Sequence, residues 1–231
     1  MSKVVNHLFG SDEIRRLEMV DQVFSRAPKL SEVVANKNIS VEEILGVSGI
    51  SRRTFYKLFK SVDGYLKSLG RALANDLNKY FQCIAIESPD YAVRVATKTR
   101  LGIRLVTKMP LIGRFLLKVD WHGYDANNFA MKDIESDILG GIRQGRFSDM
   151  PASIGVNIVV GGMKAAVREI IEKREPIEFA DVATMQILVG LGVDARSAHE
   201  HSKTPLPELP SLAEGGFSER ISTIKNKSES E

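Results

Sequence analysis

The chain has 231 residues, 43% of them hydrophobic and 26% charged, with 18 Gly and 8 Pro; this length buries a substantial core, and the composition excludes a disulfide-stapled miniprotein, a fibrous repeat and a largely disordered chain. Thirty-two basic residues against 29 acidic ones leave a net charge of +3, too mild to identify a nucleic-acid binder, so any such reading rests on local clustering. Cys83 is the only cysteine, which excludes an internal disulfide and a cysteine-based metal knuckle and points to a reducing, cytoplasmic compartment.

In chain order, Ile14, Leu17, Val20, Val23 and Phe24 recur at helical spacing and predict an amphipathic helix ending near Pro28. Ser40 followed by Glu43 is a capping-box pattern, which predicts a short helix from Val41 to about Ser48-Gly49. Ser51 then caps a second short helix, Arg52 to Phe59, with Phe55, Leu58 and Phe59 on its buried face. A longer pattern runs from Val62 through Leu66, Leu69, Leu73 and Leu77 to Phe81, toward a break at Ser88-Pro89. Further helices are predicted over 91–108, 111–119, 126–146, 152–174 and 178–190, punctuated by Pro110, Gly123, Pro151 and Pro176. No segment shows clean period-two alternation, so the fold class is all-α. After Gly192, Pro205, Pro207, Pro210 and the Gly215-Gly216 pair lead into a Ser, Lys and Glu ending, which reads as an extended or disordered tail. Met1 to Phe9 holds no apolar core of signal-peptide length, and the longest uncharged stretch, Met150 to Met163, falls short of the ~20 residues that span a bilayer. A soluble protein with no membrane partner is expected.

The segment Val41 to Phe59 has helix-turn-helix spacing: Ile44 and Ile50 bracket the turn, Gly49 can supply its positive φ, and Phe55 and Leu58 close a small core. Arg52, Arg53, Lys57 and Lys60 place four positive charges on Ser51 to Lys60, a stretch without an acid. Such a run alone fits a solvated helix face at least as well as a DNA-binding one. The run GISRRTFYKLF, Gly49 to Phe59, closely resembles the recognition-helix signature of TetR-family transcriptional regulators. The placement is similar too, with one helix before the motif, a long helix after it and a helical body beyond.

That resemblance implies a homodimer whose N-terminal domains grip a near-palindromic double-stranded DNA operator. It divides the chain into a helix-turn-helix domain over 1–61, an effector-binding and dimerisation domain over 62–195, and the tail over 196–231. Arg52 and Arg53, in the first turn of the recognition helix, suit guanine edges, while Thr54, Tyr56 and Lys57, with Ser51 and Lys60 at the helix ends, suit the backbone. The apolar stripes of the last two strong helices, carrying Ile154, Ile158, Gly162, Ala166, Val182, Met185 and Ile187, are assigned to a four-helix dimer interface.

Met109, Phe115, Trp121, Tyr124 and Phe129 are ordinary core candidates that the resemblance turns into an effector pocket, with Leu101 and Leu105 as apolar wall and Arg104 and Lys108 as its charged side. From Tyr91 to Lys118 there are seven cations and no acid. Arg100, Arg104 and Lys108 share a helix face, which points to an anionic amphiphilic effector unless Asp133, Glu135 and Asp137 balance them. Asp120-Trp-His122 and the His199/His201 pair lack the ligand count of a metal site, and no nucleophile elbow or phosphate-binding loop is present. No metal, no cofactor, no catalytic residue and no enzymatic activity are expected. The leading expectation is a repressor released by a small-molecule effector. The competing one is a helical DNA-binding or architectural protein without a ligand, and a cavity among the helices from 91 to 146 would separate the two.

Overall fold

The computed structural model describes residues 39–82, 84, 88–119 and 128–208, and among these every regular element is a helix. The chain divides into two compact units with the boundary between Leu69 and Gly70. The predicted helix ending near Pro28, Cys83, and Asp120, Trp121, His122 and Tyr124 lie outside the described residues.

The first unit is organised by caps. Helix α1, Val41–Ser48, starts on the capping box: the Ser40 N–H donates to Glu43 Oε2 at 2.6 Å and Ser40 Oγ accepts from the Glu43 N–H at 3.3 Å. It ends where Gly49 turns left-handed at φ 68° and its N–H donates to the Leu45 carbonyl at 3.0 Å, a conformation a Cβ would strain. Helix α2, Arg52–Phe59, begins with Ser51 Oγ accepting from the Thr54 N–H at 3.1 Å. Buried Ile44, Phe55, Leu58, Phe59 and Tyr65 form the small core, with Phe59 and Tyr65 edge to face at 5.2 Å between ring centres. Tyr65 lies early in α3, Val62–Gln82, which continues unbroken past the unit boundary.

In the second unit α4, Tyr91–Thr107, is the central element, packing against α5, Pro110–Lys118; α6, Phe129–Arg143; α7, Ala152–Lys173; α8, Phe179–Gly190; and α9, Ala195–Lys203. Its burial explains why so many of its residues are small or branched: Ala92, Val95, Ala96, Leu101, Ile103, Leu105 and Val106 are all out of solvent. Met131, Ile138, Val156, Val159, Ile187, Leu188 and Leu191 join Ala92, Val95 and Ala96 in one core.

Helix bounds follow the sequence expectation closely through α5. Of the helix expected over 126–146, the described part is Phe129–Arg143, capped by the Asn128 side chain and ending before the turn at Gly145 with φ 70°. The larger departure is at the expected tail. Ala195–Lys203 is helical, started by Asp194 accepting from the Ser197 N–H at 2.9 Å and held by buried Ala198 and Ser202. A cap and two small buried residues sufficed, despite the high polarity of the segment.

Candidate DNA-binding helix and effector cavity

On α2 the apolar and charged residues separate cleanly. Phe55, Leu58 and Phe59 face the small core, while Arg52, Arg53, Tyr56, Lys57 and Lys60 are exposed. Thr54 is half-buried and its hydroxyl lies 2.9 Å from Ser51 Oγ, so the Ser51 and Thr54 hydroxyls are engaged with each other at the helix start, whereas Tyr56 is exposed. Lys60 ends the helix at φ 64°. Arg52 is ion-paired with Glu42 of α1, and both side chains are solvent-exposed. The backbone N–H of Glu42 and the Arg52 guanidinium hold the Glu42 carboxyl below its usual range. Sequence reading missed this partner because no local spacing rule connects residues on either side of the turn.

The second unit holds a cavity of about 130 Å³. One stripe of α4, comprising Val95, Thr99, Gly102 and Val106, lines it at helical spacing, opposite Ala74, Leu77, Asn78 and Phe81 of α3. Leu116 of α5, Asp133 and Asp137 of α6, and Val159 and Met163 of α7 complete its main walls. None of the described residues expected in the pocket is among those lining it. Leu101, Leu105 and Phe115 are buried on other faces, Met109 is half-buried, Lys108 and Phe129 are exposed, and Trp121 and Tyr124 lie outside the described residues. Aromatic content and charge singled out one face of α4, and packing opened the cavity on another. Asn78 in register with Ala74 and Phe81, and Thr99 in register with Val95 and Val106, were the available signals: polar residues inside apolar stripes.

The cations of α4 are neutralised from two directions. Lys98 Nζ donates to Asp133 Oδ2 at 2.8 Å and to Asp137 Oδ2 at 2.7 Å, and Arg94 Nη2 lies 2.8 Å from Asp137 Oδ1. Arg100 Nε and Arg104 Nη2 both donate to Asp181 Oδ1 of α8, at 2.9 and 3.0 Å, and Arg100 also donates to the Thr204 carbonyl. Burial pushes the Asp181 carboxyl up, but the two guanidiniums outweigh it and hold the group below the usual carboxylate range. On the face formed by Arg100, Arg104 and Lys108, the first two are balanced by Asp181 rather than by the expected Asp133, Glu135 and Asp137, and Lys108 is exposed. The acids of α6 balance Arg94 and Lys98, and Asp181, a long way off in sequence, balances Arg100 and Arg104.

The residues assigned to a dimer interface sort into two groups. Ile154 and Val182 are 50% and 53% exposed, and Ile158 and Met185 are half-buried. Ala166 and Ile187 are buried within the single chain, and a Cβ on Gly162 would meet Ile187 Cγ1 at 2.5 Å, so Gly162 and Ile187 serve the packing of α7 on α8. Among the described residues no three His, Cys, Asp or Glu side chains gather as a metal site, and no helix is long and apolar enough to cross a membrane. On α9, His201 Nε2 lies 3.1 Å from Arg146 Nη2, while His199 is exposed.

No family model matches the chain, and no curated protein matches it. Among solved structures it is similar to RolR in complex with resorcinol, with a TM-score of 0.59 and 18% identity over 86% of this chain and 100% of that one. RolR without ligand gives a TM-score of 0.55 at 18% identity, over 82% of this chain and 100% of that one. A TetR-family transcriptional regulator from Syntrophomonas wolfei gives 0.52 at 18% identity, over 84% of this chain and 98% of that one. With a capped helix-turn-helix unit ahead of a helical body, the chain has the fold of the TetR-family transcriptional regulators.

Proposed function

We propose that this protein is a ligand-responsive transcriptional repressor that binds a near-palindromic DNA operator as a homodimer through α2 and is released by a small effector. The observation that carries the reading is the presence in one chain of an exposed, acid-free basic helix behind a turn and a partly open cavity walled by a separate helical unit. An architectural DNA-binding protein has no use for such a cavity, and RolR, which shares the fold, has been solved with a small molecule, resorcinol. Arg53 reads base edges, Lys57, Tyr56 and Lys60 contact phosphates, and Arg52 is recruited from Glu42. Release requires that the effector bind the DNA-incompetent arrangement more tightly than the competent one. Helix α3 follows α2 after a short turn and supplies Leu77, Asn78 and Phe81 to the cavity wall, so it is the covalent route for that coupling.

Exposed Ile154 and Val182 mark the surface for the second copy. Selection of bound duplexes from random-sequence DNA, followed by footprinting, tests the function, and a two-fold-related pair of half-sites is the expected result. Failure to enrich any duplex would remove the regulator reading. Sedimentation should show a dimer for the wild-type chain and a monomer for Ile154→Glu with unchanged helicity, because a carboxylate at a closed apolar interface lacks a partner.

A further inference from the structure

The cavity wall constrains its occupant, an inference that rests on the effector-site reading above. Leu77, Phe81, Val106, Leu116, Val159 and Met163 make it chiefly apolar. The charges at its edge are matched internally, since Lys98 bonds both Asp133 and Asp137, and Lys164 has an interaction of its own. An entering anion would have to draw Lys98 away from two carboxylates while losing its own hydration, a large cost in a poorly solvated site. The neutral polar groups are in the opposite condition. Asn78 and Thr99 are 9% and 2% exposed, both line the cavity, and among the described residues no hydrogen bond to either side chain is present. Their polar atoms keep access to the cavity, so a ligand carrying a hydroxyl or carbonyl group can supply the partner they lack.

Size supplies the remaining constraint. An apolar cavity of ~150 Å³ accommodates a benzene-sized molecule, and this one, of about 130 Å³, is of that order. We infer that the effector is a compact, uncharged molecule of single-ring size carrying a hydroxyl or carbonyl group. That group bonds to Asn78 and Thr99, and long-chain carboxylates and acyl thioesters are excluded.

The test uses the full-length chain, with calorimetry and thermal shifts against phenol, benzyl alcohol and acetophenone, against the charged analogues benzoate and benzylamine, and against decanoate. The neutral ring compounds should bind saturably, with benzoate, benzylamine and decanoate at least about tenfold weaker. Thr99→Val, which keeps the shape and removes the hydroxyl, should weaken benzyl alcohol about tenfold. A Cβ at Gly102 would meet the Met163 terminal methyl at 2.6 Å, so Gly102→Val should fill the space and abolish binding. Tighter binding of benzoate or decanoate, no binding of any neutral ring, or binding unchanged in both variants would overturn the inference. A chain that binds benzyl alcohol yet enriches no duplex keeps this inference and loses the regulator reading. One that enriches a duplex but responds only to decanoate or benzoate does the reverse.

Discussion

Two stretches of this chain look alike on paper: Ser51 to Lys60 and Tyr91 to Lys118 are both rich in Arg and Lys and contain no acid. In the folded protein their fates differ. The cations of α2 point to solvent, and among them Arg52 pairs with a single exposed carboxylate. Along α4, Arg94, Lys98, Arg100 and Arg104 are drawn onto Asp133, Asp137 and Asp181 from helices far along the chain, with Arg100 and two of the three acids buried. An acid-free basic run therefore stays exposed only where the helix is short and covered on one side. On a central helix the same run recruits acids from its neighbours, since a buried cation without a partner is not tolerated.

The contrast breaks most sharply at Asp181. Asp181→Asn leaves buried Arg100 without a charge partner and should cost about 3 to 5 kcal/mol, lowering the melting temperature by on the order of 10 °C. Any substitution of Arg53 or Lys57 on α2 should leave that temperature nearly unchanged. Denaturant titration and calorimetry on the variants check both halves, and equal sensitivity at the two sites would erase the distinction.

Acidification should reproduce the Asp181 effect in milder form. Its folded carboxyl lies below the ordinary value of 3.8, so its contribution is fully present above that value and is lost as pH falls through the folded one. Asp90 behaves alike: burial pushes it up, and Arg146 and the Ala92 N–H more than compensate. Melting temperature should hold from neutrality to about pH 5 and fall below about pH 4, with a flatter acid limb in Asp181→Asn.

On α2 the readout is DNA rather than stability. Arg53→Ala should lose about 1 to 3 kcal/mol of specific binding and relax preference at one base pair, whereas Lys57→Ala should weaken all sequences and reduce the salt slope by about one. Binding isotherms over a salt series separate the two outcomes. The smallest effect belongs to Glu42→Gln, which frees Arg52 and should raise affinity for arbitrary duplexes about two- to fivefold at low salt without moving the salt-independent selectivity of Arg53. A fall in affinity would show instead that Glu42 positions Arg52 for the operator.

What the sequence by itself determined is whatever depends on neighbours a few residues apart. The Ser40/Glu43 box, the Ser51 cap and the Gly49 stop set α1 and α2 because their hydrogen bonds span three or four residues, and the apolar period marked the longer helices for the same reason. Helix Ala195–Lys203 escaped because its stabilisation comes from contact with α4 and α8, while its polar composition resembles a tail. The tertiary structure alone decided which face of α4 opens on a cavity, which acids neutralise which cations, and that Ile187 and Gly162 meet inside one subunit while Ile154 and Val182 stay exposed. Each of these depends on how helices cross, and a period of 3.6 residues specifies that a face is apolar without specifying what will lie against it.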